Sequence, residues 1–261
     1  MPLFPAPPKP MPETTGFALI IIGTELLTGK RRDGHLEFVI GALTKRGLEL
    51  AEALYLGDDP LRLRKALSHS MAGRDSVFVF GGIGATPDDH TRQCAAAAAG
   101  LKLARHPQAA AIIEERFGEQ AYPQRIHMAH LPEGCALIPN PLNRIPGFSL
   151  GHHHFMPGFP QMAWPMLEWV LDEQYLHLQR PAIHEELITL PNVSEGQLIA
   201  VLEEFVKRYP QLRLSCLPHM QGEYRETELG VRGAGGEVGA AMDWLRAQLK
   251  QLGFDWFEGG R

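Results

Sequence analysis

Residues 78–91, Phe78-Val79-Phe80-Gly81-Gly82-Ile83-Gly84-Ala85-Thr86-Pro87-Asp88-Asp89-His90-Thr91 (FVFGGIGATPDDHT), begin as one kind of structure and end as another. The apolar run SVFVF (76–80) has the length and β-branched, aromatic character of a strand covered on both faces. The alanine-rich TRQCAAAAAG (91–100) reads as a helix stopped by Gly100. Strand, glycine turn and helix in that order make half of a βαβ unit. The turn itself carries opposed signals. Gly81, Gly82 and Gly84 let backbone N–H groups approach a ligand, and a helix starting near Asp89 adds partial positive charge, so the turn favours an anion such as phosphate. Asp88 and Asp89 repel one.

The same alternation recurs on both sides. FALIII (17–22) is a buried strand, and Asp33 caps a helix with Leu36, Val39, Ile40 and Leu43 on one face, ending at Gly47. LELAEALYL (48–56) is the next strand. Asp59-Pro60 then starts a helix with Leu63, Leu67 and Met71 inward and Gly73 as its stop. A further helix is predicted over 107–117. The proline- and glycine-rich 131–160 gives short strands and a packed loop, followed by a helix over 160–175 that contains Pro165. This order predicts an α/β fold, a doubly wound, mostly parallel sheet with right-handed crossovers. A second, smaller α+β domain follows. IHEELITL is a strand, Ser194-Glu195-Gly196-Gln197 a capping box before a helix, QLRLSCL and ETELGVRG two strands, and EVGAAMDWLRAQLKQLG a helix. The expected division is a disordered Pro-rich tail (1–15), the main domain (16–178) and the small domain (179–261).

In a doubly wound sheet, ligands bind beyond the carboxyl ends of the strands. Two loops fall there, GTELLTG (23–29) and GGIGATPDDHT (81–91). Helix capping accounts for one of the two aspartates in the second loop, which leaves the other, with Thr86 and Thr91, unexplained. Asp58-Asp59 repeats the acidic pair at the same edge; Asp59 is the cap before Pro60, so Asp58 is left over. A phosphate beside several carboxylates is strongly disfavoured unless a cation lies between them. Magnesium suits that position, because it accepts one or two carboxylates plus phosphate oxygens. The reading is therefore that the glycines and the helix end hold phosphate. Asp58 and Asp89 hold Mg2+ (or Mn2+ or Co2+) against it, an arrangement suited to cleavage or transfer at a phosphate or pyrophosphate. No lysine follows the glycines, which excludes a Walker loop, and Pro87 interrupts G-x-G-x-x-G, which disfavours a dinucleotide oxidoreductase.

Composition sets the outer limits. Of 261 residues, 44% are hydrophobic and 21% charged, enough for a sizeable core, and the net charge of −5 lacks the basic stripe of a nucleic-acid partner. No apolar run is long enough to span a bilayer. MPLFPAPPKPMP at the start has too little charge and no apolar segment for a secretory signal. Cys94, Cys135 and Cys216, odd in number and far apart, read as reduced thiols of a cytoplasmic protein.

These pieces resemble the molybdopterin-binding fold shared by molybdenum-cofactor biosynthesis proteins and the competence/damage-inducible protein A family. The family's G-x-E-L-L-x-G is matched by Gly23-Thr24-Glu25-Leu26-Leu27-Thr28-Gly29, its Asp after the second strand by Asp58, and its G-G-[TL]-G-x-T-x-D-D-x-T by 81–91. The pieces L-P-x-G, P-N-P, P-G-F and P-G-x-P follow at 131–134, 139–141, 146–148 and 157–160. The resemblance spans about 17–175, and 181–258 looks like the small domain that follows in the competence-inducible proteins. It implies that Asp58 and Asp89 occupy metal- and nucleotide-associated positions, and that Gly81, Gly82, Thr86 and Thr91 line a pterin-phosphate or nucleotide-phosphate site. It also implies a link to metal-dependent cleavage of ADP-ribose and a homo-oligomer, dimer or trimer. Ala85 stands in place of the usual proline and His35 in place of the common asparagine. With the chain ending at Arg261, the pyridine-nucleotide amidase domain of many relatives is not expected.

The site residues expected from these readings are Asp58 and Asp89 as metal-binding and catalytic. Gly23, Thr24, Glu25, Gly81, Gly82, Gly84, Thr86, Asp88 and Thr91 are expected to contact ligand. Glu25 either binds metal or a ring nitrogen, or makes a structural contact. Arg31-Arg32 either meets phosphate or is solvated. Trp164, Met166 and Trp169 are expected in the core or a subunit interface rather than stacked on a pterin. His152-His153-His154 is expected on a surface or loop, with at most His152 and His154 able to share an ion. The helix position of Cys94 would lower its pKa, yet no base pairs with it, so a thiol mechanism is rejected. Two functions remain open: a magnesium-assisted enzyme acting on a phosphorylated pterin or a nucleotide pyrophosphate such as ADP-ribose, and a non-catalytic module binding such ligands. An interaction protein using 181–258 is the third. The small-molecule partner is a pterin or nucleotide; nucleic acid and membrane are not expected.

Overall fold

The computed structural model describes residues 14–221 and 224–260. They divide into two compact units, one of 14–43 and Glu49–Leu178, the other of Thr44–Leu48 and 179–260. The tail expected over 1–15 lies outside the described residues as far as 13. Thr14 and Thr15 depart from that expectation: the Thr14 hydroxyl accepts the Ser76 N–H (3.0 Å), and that of Thr15 donates to Asp75 (2.6 Å). Residues 44–48 group with the second unit rather than the first. Arg180 N–H donates to the Arg46 carbonyl (2.9 Å), and Gly47 lies so close to Pro181 that a Cβ would stand 2.5 Å from its oxygen.

In the first unit the elements run β1 (Phe17–Ile22), α1 (Thr24–Leu27), α2 (His35–Thr44), β2 (Leu50–Leu56), α3 (Pro60–Met71), β3 (Ser76–Phe80) and α4 (Thr91–Ala98). Then come β4 (Leu103–Arg105), α5 (Pro107–Phe117), β5 (His130–Pro132), β6 (Ala136–Ile138), β7 (Gly147–Leu150), β8 (His153–Met156) and α6 (Pro160–Gln174). The sheet order is β2-β1-β3-β8-β7-β6. β2, β1, β3 and β8 pair in parallel, while β7 and β6 add an antiparallel edge. The fold is thus the doubly wound, mostly parallel α/β sheet read from the sequence. From β1 the chain leaves to β2 on one side and β3 lies on the other, so the order reverses between β1 and β3 and opens a crevice at their carboxyl ends.

Strand alternation divides the core. Ile20, Ile22, Val77 and Val79 pack with Leu63, Leu67, Ala95 and Ile113 of α3, α4 and α5. On the opposite face, Phe17 and Phe78 stack together and meet Tyr175 edge-on, while Phe80 stacks on His35 of α2 at 4.4 Å. Caps fix the helix starts: Asp33 accepts from the His35 and Leu36 N–H groups, and Asp59 from Arg62 N–H, with Pro60 in the first turn. Trp164 lies flat against Phe38 at 4.4 Å, and Met166 is fully buried, in keeping with packing roles. Among the described residues, no helix is long and apolar enough to cross a membrane.

The histidine run corrects an expectation. His153 and His154 are buried on β8, not on a surface or loop. Partners distant in sequence make this possible: His153 Nε2 meets Ser70 Oγ (2.8 Å), and His154 meets Ser149 Oγ (2.8 Å) and Tyr175 OH (2.7 Å). Burial pushes their pKa values down to about 4 and about 3. With folded values below the unfolded value of about 6.5, the folded chain binds fewer protons in between. Their contribution is therefore complete above the unfolded value and is lost as pH falls through it toward the folded values. The urea midpoint, read by circular dichroism, is expected to drop between about pH 6.5 and 4.5, as the unfolding free energy falls by up to about 1.4 kcal/mol per pH unit for each histidine. A flat midpoint over that window would contradict neutral, buried histidines.

The second unit runs β9 (Ile183–Pro191), α7 (Glu195–Arg208), β10 (Arg213–Gln221), β11 (Tyr224–Ala234), α8 (Gly235–Gln251) and β12 (Phe257–Glu258). Its sheet, β10-β11-β9-β12, is antiparallel throughout. Ser194 and Gln197 form the capping box of α7, whose Leu198, Val201 and Phe205 pack on Leu229, Val231 and Leu245.

Candidate functional site

A cleft of about 470 Å³ opens at the carboxyl ends of β1, β2 and β3. Of the residues singled out from sequence, Gly23, Glu25, Asp58, Gly81, Gly82, Gly84, Thr86, Asp88 and Asp89 line it, and so does Arg31. Thr24 and Thr91 do not. Thr24 is a tie between loops: its N–H donates to Asp58 Oδ2 (2.8 Å) and its hydroxyl accepts the Asp58 N–H (3.1 Å). Thr91 is fully buried and serves as a strut, donating its hydroxyl to the Gly81 carbonyl (3.0 Å) and its N–H to that of Gly82 (3.0 Å). Arg32 lies apart from the cleft, on a small neighbouring cavity shared with His35, Glu25 and Arg31.

The glycines serve the protein before any ligand. Gly81 has φ +104°, and a Cβ there would stand 2.2 Å from the Ile22 carbonyl oxygen. Gly82 has φ +68°, and its Cβ would stand 2.2 Å from the Thr91 hydroxyl. Their small size lets the β1 and β3 loops touch and seats the turn on α4. What the turn offers a ligand is its N–H groups. Gly81 N–H is used by the Met156 carbonyl (3.0 Å), but those of Gly82, Ile83, Gly84 and Ala85 find no acceptor among the described residues, and all four residues line the cleft. Successive backbone N–H groups without acceptors are the kind of feature from which anion-binding concavities are built.

Neither aspartate of the turn caps α4, whose N-cap is His90 without a side-chain bond. Asp89 Oδ2 instead accepts from the Thr86 N–H (2.8 Å) and hydroxyl (2.5 Å). The single Thr86 hydroxyl proton goes to Asp89, and the threonine is also near enough to hold the exposed Asp88 carboxyl below its ordinary range. Asp58 is not left over but fixed by Thr24. Both Asp58 and Asp89 are thus oriented through one oxygen, and their Oδ1 atoms accept no hydrogen bond from the described residues. Glu25 folds over Gly23, its carboxylate 2.8 Å from where a Cβ would stand. Among the described residues, no group of three or more His, Cys, Asp or Glu side chains converges as a metal cage. Burial raises the Cys94 pKa, contrary to the lowering expected from its helix position, and its thiol points to the Pro60 carbonyl, so no thiolate chemistry arises there.

Sequence reading missed Arg92. It is 3% exposed, and its guanidinium donates to the carbonyls of Gly84 (2.6 Å), His130 (3.2 Å) and His127. A buried cation therefore clamps the turn from behind. Burial pushes it below its ordinary pKa, while the neighbouring Asp89 charge pulls the other way. The only sequence signal was an arginine in the second position of an apolar helix. Also missed was the far wall: Phe117 at the end of α5, Met162 in α6, and Met128, Asn140, Asn143 and Phe159 from segments without periodicity.

Fold and site together define a class: a doubly wound α/β protein with a carboxylate-edged, amide-lined cleft at its topological switch point. The chain belongs to the family of probable molybdopterin-binding domains, whose model matches residues 18–177. It is 32% identical over 236 residues to a CinA-like protein of Geobacter metallireducens, covering 85% of this chain and 55% of that one. To a CinA-like protein of Syntrophotalea carbinolica it is 33% identical over 251 residues, covering 89% and 57%. The crystal structure of CinA from Thermoplasma acidophilum superposes with TM-score 0.56 at 28% identity, over 60% of this chain and 97% of that one. The chain spans little more than half the length of those two curated relatives.

Proposed function

We propose that the cleft binds a phosphorylated small molecule, a phosphorylated pterin or a nucleotide pyrophosphate such as ADP-ribose. The observation that carries this is the run of unpaired amides over 82–85 facing a cleft edged by Asp58 and Asp89. The family's description as probable molybdopterin-binding domains supports a pterin. Asp58 and Asp89 suit a divalent cation: among the described residues neither forms a salt bridge with an arginine or lysine, although the Arg92 charge lies near Asp89, and each keeps an oxygen without a partner. They would hold Mg2+, with Mn2+ or Co2+ as substitutes, and the ion would neutralise phosphate charge and activate a water. The amides of the turn would stabilise charge developing on the phosphate. In this reading the protein is a metal-dependent pyrophosphohydrolase or nucleotidyl transferase.

The scarcity of metal-binding side chains favours a second reading, a non-catalytic module in which ligand and metal bind together without reaction. One experiment separates the two. The protein is incubated with ADP-ribose, FAD or NAD and Mg2+, Mn2+ or Co2+, and both binding and AMP release are followed. Asp89→Asn can still accept from Thr86 but loses the charge, so metal-dependent affinity is expected to fall at least about tenfold, roughly 1.4 kcal/mol. AMP release that stops in this variant supports the enzyme; tight binding without product supports the module. Unchanged metal-dependent binding in Asp89→Asn removes the site assignment.

A further inference from the structure

Asn140 is 2% exposed and lines the cleft, opposite in sequence and in role to the glycine turn. Its Oδ1 accepts the N–H groups of Leu142 (3.1 Å) and Asn143 (3.4 Å), while its own carbonyl accepts from Arg144 N–H (3.0 Å). Two N–H donors on one side settle which end of the amide is oxygen. They also occupy both acceptor lone pairs of Oδ1. The Nδ2 group is left buried with no acceptor among the described residues. A buried donor without a partner is costly and uncommon in folded proteins, and where one borders a binding cleft the missing acceptor can come from the ligand. Phe117, Ile145 and Phe159 line the same cleft and give it an apolar wall suited to a flat ring.

We infer that Asn140 determines ring specificity: its Nδ2 donates to an acceptor atom of a heteroaromatic ring whose phosphate lies on the 82–85 amides. This rests on the phosphate reading above and adds the chemistry of the other end of the ligand. With Oδ1 fully used, Asn140 offers the ring only N–H. A ring presenting a carbonyl there is accepted, and one presenting an amino group leaves two donors face to face. Of the two ligand classes proposed above, this selects the phosphorylated pterin, whose ring carries a carbonyl, over the adenine of ADP-ribose. Buried hydrogen-bonding groups of this kind discriminate far more strongly than apolar contact does.

The test uses the full chain with Mg2+ and three probes: inorganic phosphate, and the pair inosine and adenosine monophosphate, which differ by a carbonyl against an amino group. Calorimetry is expected to give at least a fivefold preference for the inosine nucleotide. Asn140→Ser keeps a hydroxyl to accept the turn N–H groups and removes the donor. Asn140→Asp keeps the turn and replaces the donor by an acceptor. The preference is expected to disappear in the first and to invert in the second, with phosphate affinity of Asn140→Ser within twofold and its melting temperature unchanged. Phosphate binding with equal nucleotide affinities in the parent, or with the same preference retained in either folded variant, overturns this inference alone. Failure of the parent to bind phosphate or either nucleotide overturns the phosphate reading and this one with it.

Discussion

Gly81→Ala is expected to destabilise the first unit by about 2–6 kcal/mol. Two separate costs combine. An alanine at φ +104° lies outside even the small left-handed region open to residues with a Cβ, which costs roughly 1–3 kcal/mol. The Cβ would also stand 2.2 Å from the Ile22 carbonyl oxygen. That obstacle is backbone of β1, hydrogen-bonded within the central sheet, so it cannot swing aside as a side-chain tip would. Overpacking of this kind typically adds about 1–3 kcal/mol. Gly29→Ala separates the two terms, because Gly29 has φ +72° with nothing within 4 Å. It is expected to lose only the conformational part, about 1–2 kcal/mol. Urea unfolding of both variants decides the matter. If Gly81→Ala falls within about 1 kcal/mol of Gly29→Ala, the close approach of the β1 and β3 loops is wrong, and with it the shape of the cleft floor.

What the sequence disclosed and what it withheld divide along a physical line. β1 and β3 were legible because a continuous apolar run leaves a parallel strand few alternatives. The start of α3 was legible because Asp59, Pro60 and the acceptor geometry lie within four residues, and the Ser194–Gln197 box is equally local. The glycine turn was rightly placed at the strand ends, but Gly81 and Gly82 were assigned to ligand approach when the atoms they make room for are those of Ile22 and Thr91. Those contacts join segments tens of residues apart or fold the turn onto its own helix, and no spacing rule reports them. The same reason explains His153 and His154. A histidine pair reads as polar surface until Ser70, Ser149 and Tyr175 are brought alongside. Asp58 and Asp89 were chosen by elimination, as residues that capping did not explain. Both do line the cleft, yet each is held by a threonine, Thr24 and Thr86, whose bond could not be inferred from motif order. The far wall was the least accessible part. Asn140 and Phe159 sit in proline- and glycine-rich chain where neither period of 2 nor period of 3.6 operates.

Arg92→Met should weaken binding of phosphate-bearing ligands by roughly 30-fold while leaving the chain folded. Methionine keeps much of the aliphatic volume of the stem and removes the guanidinium. Three carbonyls, of Gly84, His127 and His130, then lose the guanidinium, although that of His127 keeps the His130 N–H. Buried carbonyls tolerate this better than buried N–H groups would. Desolvation of the cation is relieved at the same time, as its burial-lowered pKa indicates. The stability loss is therefore limited to about 1–3 kcal/mol. Affinity suffers more directly. A unit positive charge several ångströms behind a phosphate, at an effective dielectric near 20, contributes on the order of 2 kcal/mol, which corresponds to the stated fold-change. Loss of the clamp on Gly84 also lets the amides of the turn disperse. Arg92→Lys retains charge without the fork that holds three carbonyls at once, so it separates the two contributions. Calorimetric titration of ADP-ribose and of inorganic phosphate into parent, Arg92→Lys and Arg92→Met, at low and high salt, measures them. The lysine variant should recover most of the affinity if charge dominates and little if geometry does. A folded Arg92→Met that binds both ligands as tightly as the parent would make Arg92 a strut alone, and the favourable field at the cleft would have to come from the backbone amides by themselves.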